Sequence, residues 1–439
     1  MVSRRDFIGK SALLAGSLSF LKFSNPLFAE TLENKVIKLG SKSPNEAAND
    51  EEFWAWVKES YTLSPNVINL NAGGVSAQPK VVQDAHIDNY KLSNQGPSYY
   101  MWKILDQGRE PLRSKLADLA GCDPEEIAIN RNTTEGLNTI IFGLNLKAGD
   151  EVVLTKYDYP HMMNAWKQRE MRDGIKLNWV DFDFPLENDD AIVKAYEDKI
   201  TPKTKFVLIT HVINWVGQIM PARKIADMAH SKGCEVIVDG AHSFSCIDYK
   251  IPDTGADYFA TSLHKWTCAP FGSGMLYIKK DKIKNVWPLL SDDKPKGDDI
   301  RKFENIGTRS FASEMAIGNA VDFHLGIGIQ RKEARLRFLK DYWINKVKDL
   351  PNIKFHTSML PQYSCAIAGF SLDGWDASDI QGKLFNDKKT YVISIQYEKL
   401  NHVRVSPNIY NSPWELDRLV DGIREIAKAE PPVKKEEKK

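Results

Sequence analysis

Apolar and polar positions alternate with different periods along the chain, and the changes of period divide it. The first apolar run, Ala12 to Phe20, is too short to span a bilayer as a permanent helix. Residues 30–50 are mostly polar and read as a linker. Phe53, Trp54 and Val57 then fall at helical spacing, which predicts a helix beginning near Asn49 and Asp50. From Ile127 onward short apolar runs alternate with amphipathic ones. Ile127–Ile129, Val152–Thr155, Leu177–Val180, Phe206–Thr210, Val236–Val238, Tyr258–Thr261 and Met275–Ile278 read as strands. Thr134–Phe142 and Ala222–His230 read as helices between them. Such alternation predicts an α/β fold, with a mostly parallel sheet layered between helices and ligands held beyond the strands' carboxyl ends. Glu314 to Val347 reads as a long helical stretch leading to a smaller α+β region. The boundaries expected are therefore a large domain over 51–310, a small C-terminal domain over 311–429 and a charged, fraying tail over 430–439.

Charge and composition change this picture mainly at the front of the chain. Arg4 and Arg5 stand at the head of the Ala12–Phe20 run and resemble a twin-arginine export signal, which a receptor reads and which does not anchor. Residues 1–29 are accordingly expected to be a signal peptide, cleaved after Ala29, on a protein exported already folded to the periplasm. Such a route suits a protein that acquires its cofactor in the cytoplasm. Among 439 residues, 42% are hydrophobic and 27% charged, the make-up of an ordinary globular protein. A formal net charge of +1 gives no reason to expect nucleic acid or an anionic membrane as partner. Five cysteines (Cys122, Cys234, Cys246, Cys268 and Cys365) are an odd number without a CxxC pair, which argues against a zinc site or a disulfide scaffold. One disulfide stays open, given the oxidising compartment. His161, His211, His242 and His264 do not pair at i,i+4 with a third acidic ligand, so no metal is expected.

Candidate chemistry collects where strands end. Val236-Ile237-Val238 runs straight into Asp239, placing a carboxylate at a strand's carboxyl end. A second strand leads into Thr261-Ser262-Leu263-His264-Lys265-Trp266. If these strands are neighbours, Asp239 and Lys265 share one crevice, and the lysine should lower the aspartate's pKa and keep it ionised. Read alone, Lys265 is a solvated surface lysine, but Trp266 and the Cys268-Ala269-Pro270 that follow do not suit a surface loop. A pyridoxal-phosphate enzyme requires such a pair, a lysine to form an imine and a carboxylate to keep the pyridine nitrogen protonated. Asn132-Thr133-Thr134-Glu135-Gly136 falls between a strand and a helix, where free amides and hydroxyls at a helix N-terminus hold phosphate. Thr133 alone reads equally well as a plain N-cap.

Taken together, Asp239-Gly240-Ala241-His242, Ser262-Leu263-His264-Lys265-Trp266, the Asn132–Asn138 segment and Gly307-Thr308 resemble class V aminotransferases of pyridoxal-phosphate fold type I. That family includes cysteine desulfurases and isopenicillin N epimerase-like enzymes, and the Leu263-to-Pro270 stretch resembles the epimerase-like branch. The similarity runs from about Asn69 to Ile426. It implies pyridoxal 5'-phosphate as cofactor, Lys265 as Schiff-base lysine and proton shuttle, and Asp239 as partner of the pyridine nitrogen. It implies His242 and Asn214 beside the ring's 3-oxygen, and Tyr159 stacked over the ring unless it is an ordinary core tyrosine. Thr133, Thr134, Ser262 and His264 would hold the phosphate, with Thr308 reaching it from the neighbouring subunit of a homodimer. Arg404, otherwise a surface ion-pair partner, would clamp a substrate carboxylate, and Asn71 to Gly74 would line the substrate side. The family's desulfurases need a nucleophilic cysteine shortly before that arginine, yet Tyr391 to Val403 contains none, so desulfuration is disfavoured. The resemblance therefore implies an exported enzyme acting on an amino acid or an amino-acid moiety of a larger metabolite, by transamination, epimerisation or elimination. The alternative reading is a non-catalytic binding protein on a degenerate fold of this type.

Overall fold

Period-two alternation decides the large sheet, because successive side chains of a strand enter opposite faces. In this computed structural model, which describes residues 26–432, Val153, Val207, Ile209, Val236 and Val238 join one apolar core. Val152, Leu154, Leu208, Ile237 and Ala260 join a second core on the other face. The strands are β1 (Ile127–Asn130), β2 (Glu151–Thr155), β3 (Lys176–Val180), β4 (Thr204–Thr210), β5 (Glu235–Asp239), β6 (Tyr258–Ser262) and β7 (Gly274–Ile278). They form a seven-stranded sheet in the order β3-β2-β4-β5-β6-β7-β1. Neighbours are parallel except at β7, which runs antiparallel to both β6 and β1. Helices Thr133–Gly143, Pro160–Asp173, Asp189–Glu197 and Ala222–Ser231 link successive strands, so the carboxyl ends of β2, β4, β5 and β6 share one edge. The layered α/β fold expected from the alternation is the one observed.

A second, smaller sheet comprises β8 (Ile353–Phe355), β9 (Ala368–Leu372), β10 (Ile393–Tyr397) and β11 (Leu400–Val405). Its order is β8-β9-β11-β10, antiparallel throughout. Trp343, Ile380, Leu384, Leu419 and Ile423 from three helices cover it together with Phe370 and Val403. An early segment stitches itself to this part of the chain. Ile68 and Asn69 pair parallel with Thr390 and Tyr391, and Asn71 bridges Ser406.

Two expectations need correction. The stretch read as a linker carries helices Pro26–Leu39 and Pro44–Ala48. Leu32, Val36 and Leu39 recur at helical spacing and are buried, an apolar stripe too thin to stand out among charged neighbours. Ser43 caps the second helix in a reciprocal capping box with Glu46. The long helical stretch is also two helices, Phe311–Ile327 and Ile329–Val347, parted at Gly328, whose φ of +85° few other residues adopt. The expected helix near Asp50 runs Glu51–Glu59, its N-terminus capped by the Asp50 carboxylate through Phe53 N at 3.1 Å. The twin-arginine pair and residues 433–439 lie outside the described residues. Among the described residues no helix is long and apolar enough to cross a membrane.

One buried charge cluster fastens the edge strand β1. Arg113 donates to both carboxylate oxygens of Glu304, at 2.6 and 3.0 Å, and also to the Ile127 carbonyl. Arg109 reaches the same carboxylate at 3.0 Å, and Ile129 N donates to it at 2.6 Å. Glu304→Ala takes the buried counter-charge from Arg113 and Arg109, which keep Glu110 and Glu314, so the cost should be about 3 kcal/mol, the low end for breaking a buried pair. Denaturant unfolding of Glu304→Ala should show a loss of that size. A loss below about 1 kcal/mol, the worth of an exposed pair, would refute the assignment.

Candidate active site

The shared carboxyl edge opens into a cavity of about 510 Å³, within the range of small-molecule sites. Both sheets contribute to its wall. Thr210, Asp239 and Ser262 are the last residues of β4, β5 and β6, while Ile393, Ser394, Ile395 and Arg404 come from β10 and β11. Gly73 and Gly74 close it from the stitched N-terminal segment, where a Cβ on Gly73 would meet Ser406 Oγ at 3.1 Å.

Lys265 and Asp239 line this one cavity, as their neighbouring strands require. The lysine does not lie on the aspartate, however. Its Nζ stands 2.9 Å from His242 Nε2. Burial, with help from the Arg404 charge and against the pull of Asp239, lowers the Lys265 pKa to about 8. Burial first, then the positive charges of Lys265 and Arg404, hold His242 well below the usual imidazole range. The imidazole is therefore neutral and accepts from the lysine at Nε2, which puts its proton on Nδ1. Asp239 accepts from Ala241 N at 2.9 Å. Its carboxyl lies above the usual carboxylate range, because burial outweighs the amide and the lysine. The expectation of a lowered carboxyl is corrected in its net direction: Lys265 does pull it down, but burial of the carboxylate outweighs that pull.

At one end of the cavity, helix Thr133–Gly143 points its N-terminus inward. Asn132 is its N-cap, accepting from Glu135 N at 2.8 Å, so Thr133 is free for another task. The Thr133 and Ser262 hydroxyls lie 2.8 Å apart, and Thr133 N donates to Ser262 Oγ at 2.9 Å. His264 Nδ1 donates to the Ser273 carbonyl at 2.9 Å, which leaves Nε2 as an acceptor in the neutral ring. Thr133, Thr134 and Ser262 make a ring of donors backed by a helix dipole, an arrangement suited to a phosphate, which His264 Nε2 joins as a donor once it carries a proton.

At the other end Arg404 is buried, its Nη1 donating to the Asn214 carbonyl at 3.0 Å and its Nη2 to Asn71 Oδ1 at 2.8 Å. Burial lowers its pKa to about 10, so it remains a cation at neutral pH. The Asn214 Oδ1, His242 Nδ1 and Arg404 Nε atoms are buried and unpartnered among the described residues. Groups of this kind are costly unless a ligand satisfies them.

Of the residues singled out from sequence, Thr133, Thr134, Tyr159, Asn214, Asp239, His242, Ser262, His264, Lys265 and Arg404 line the cavity. Tyr159 is no core residue but 39% exposed, at the start of helix Pro160–Asp173. Asn71 stands behind Arg404, holding it in place. Thr308 is exposed and lies off the wall of its own chain. Sequence reasoning missed Trp215, which lines the cavity, and Asp158, which sits beneath it. Asp158 accepts from Thr210 Oγ1 at 2.6 Å and Thr155 N at 2.8 Å, and burial pushes its carboxyl up to about 7. The available signals were an aspartate inside Tyr157-Asp158-Tyr159-Pro160 and a tryptophan following Asn214. All five cysteines are free, and none lines the cavity.

A parallel sheet with a lysine, a buried carboxylate and a donor ring at its carboxyl edge is the layout of a fold type I pyridoxal-phosphate protein. The chain belongs to the aminotransferase class V family, whose match covers residues 68–419. It is 27% identical over 394 residues to the isopenicillin N epimerase of Amycolatopsis lactamdurans, covering 85% of this chain and 99% of that one. Its fold is similar to the apo structure of cysteine desulfurase from Thermococcus onnurineus NA1, with TM-score 0.77, 23% identity and coverage of 85% and 97%. It is likewise similar to a C-DES mutant with glycine covalently linked to its pyridoxal-phosphate cofactor, with TM-score 0.73, 20% identity and coverage of 83% and 97%. The family implies pyridoxal phosphate, and the unpartnered buried atoms and the donor ring suit that group.

The Lys265 pKa carries its own test. Borohydride-trapped labelling of the cofactor-free protein by pyridoxal phosphate should rise with pH to a midpoint near 8. Asp239→Asn removes the one charge that raises this pKa and should move the midpoint lower. A midpoint near 10.5, that of a free lysine, would contradict the burial argument.

Proposed function

We propose that the protein is an exported pyridoxal-phosphate enzyme acting on an amino acid or an amino-acid moiety of a larger metabolite. The observation that carries this reading is the gathering of Lys265, Asp239, the Thr133–Ser262 donor ring and a buried Arg404 around one cavity. Bound there, pyridoxal phosphate supplies an aldehyde that takes up an amine and a ring that draws electron density from the carbon beside it.

Thr133, Thr134, Ser262 and His264 hold the phosphate, and Thr308 of the partner subunit completes that end in a homodimer. Its exposure away from its own cavity supports this. Asp239 faces the pyridine nitrogen, where a positive charge would relieve its desolvated carboxylate. His242 flanks the 3-oxygen with its unpartnered Nδ1–H, and Asn214 lies beside the same oxygen. Tyr159 covers the ring from the rim. Lys265, with a pKa near 8, is suited to give and take a proton at its Nζ close to neutral pH. Arg404 grips the substrate carboxylate, braced by Asn71 and the Asn214 carbonyl. A persulfide relay is set aside: β10 presents Ser394 to the cavity, and Cys365 is buried. The isopenicillin N epimerase relative supports a substrate with an amino-acid moiety.

The full-length protein incubated with pyridoxal phosphate should absorb in the visible. Borohydride should then fix the cofactor onto the Lys265 peptide, and Lys265→Ala should trap none. A protein that stays colourless and unlabelled would instead be a scaffold without this chemistry. For export, replacing Arg4 and Arg5 together with lysine should leave the protein in the cytoplasm. Unchanged periplasmic recovery would refute the twin-arginine reading.

A further inference from the structure

Beyond the cofactor groups and the carboxylate clamp the cavity wall carries an apolar patch, with Ser394 and Thr210 as uncharged polar members. Trp215 lines it, joined by Met162, Ile393 and Ile395. Tyr397, which does not line the cavity, stacks flat on the Trp215 indole, with ring centroids 4.6 Å apart and planes at 9°. One face of the indole is thus taken, and the ring cannot turn without breaking that stack. Its backbone is held as firmly, since His402 Nε2 donates to the Trp215 carbonyl at 2.9 Å. Tyr397 is fixed in turn by Met163, whose sulfur lies 3.6 Å from its hydroxyl.

Charge selects further. Among the described residues lining the cavity, Lys265 and Arg404 are the lysine and arginine, and Asp239 is the carboxylate. His242 and His264 are held below the usual imidazole range by burial. With Arg404 on the substrate's α-carboxylate, this chain's own described lining leaves no cation for a second carboxylate in the side chain. With Asp239 on the ring nitrogen, no anion remains for a side-chain ammonium. A charged side chain would lie desolvated and unpaired against isoleucine and methionine.

We infer that Trp215, buttressed by Tyr397, is the specificity shelf of this site and that the substrate is an amino acid with an uncharged, apolar side chain, aromatic or aliphatic. The inference rests on Arg404 clamping the α-carboxylate, as proposed above. Trp215 contacts the side chain, and Tyr397 is a positioning residue behind it.

The test follows the visible absorption of the cofactor-loaded full chain during titration with L-phenylalanine, L-leucine, L-alanine, L-glutamate and L-lysine. Phenylalanine and leucine should half-saturate at least about tenfold below glutamate and lysine. Trp215→Ala should raise the phenylalanine value about tenfold while moving alanine by less than about twofold. Trp215→Phe keeps a ring in place and should restore most of it, and Tyr397→Phe, which keeps the stack, should leave the phenylalanine value within about twofold of the parent. Retention of borohydride-fixed cofactor on Lys265 confirms that each variant is folded. Tighter response to glutamate or lysine than to phenylalanine, or equal weakening of phenylalanine and alanine by Trp215→Ala, would overturn the shelf alone. No response to any amino acid, with cofactor still fixed on Lys265, overturns the amino-acid reading and the shelf with it. Arg404→Ala separates the two, because it should weaken every amino acid alike.

Discussion

At the Arg404 guanidinium, three remote stretches of chain meet. The arginine sits on β11 of the small sheet, one nitrogen reaches the Asn214 carbonyl in the segment after β4, and another reaches Asn71 beside the early strand segment. A buried cation requires donors' partners on every side, and here the partners are main-chain and amide oxygens with no counter-charge. Because these oxygens are neutral, the site keeps a net appetite for an anion. Any displacement of the small sheet, the Asn214 segment or the Asn71 segment would leave that charge unsatisfied. The cavity between them is therefore as well defined as the arginine's own geometry.

The same economy of charge explains the other titratable groups. Lys265, His242, Asp239 and Arg404 lie in one desolvated space, and burial pushes each toward its neutral form. They respond differently because their ordinary pKa values differ. Arginine stays charged at about 10, lysine arrives near 8, and histidine is neutral throughout. One cavity thus contains a permanent cation and one that titrates near neutral pH, although both are nitrogen bases under similar burial. His242 provides the amine with a neutral acceptor, so the lysine is oriented without a salt bridge that would raise its pKa.

Much of this was legible in the sequence. The seven strands of the large sheet appear as short apolar runs because both of their faces are buried, a pattern no surface element imitates. Asp239, Ser262 and Lys265 were readable because strand ends fix where side chains go. Legibility failed where the signal was local and thin. The Pro26–Leu39 helix buries a narrow stripe, and a polar stretch with few apolar residues resembles a linker. The break at Gly328 depends on one backbone angle that an otherwise helical pattern hides. Trp215 and Asp158 were missed for a different reason. Their roles come from tertiary neighbours, Tyr397 and Thr210, that stand 182 and 52 residues away and leave no periodic trace. The direction of the Asp239 shift was likewise decided by how deeply the carboxylate is buried, which spacing does not encode.

Three bonds run from the small sheet and its approach to a single stretch of the large domain. His402 reaches the Trp215 carbonyl, Arg404 the Asn214 carbonyl and the Thr357 hydroxyl the Val216 carbonyl. Consecutive residues pinned in this way travel with the small sheet whenever it moves. The indole and the guanidinium then behave as two marks on one rigid ruler. Domain motion would change how far that ruler stands from Lys265, but not the spacing between its marks. The spacing between carboxylate grip and indole is in that sense set by these bonds, before any closure begins.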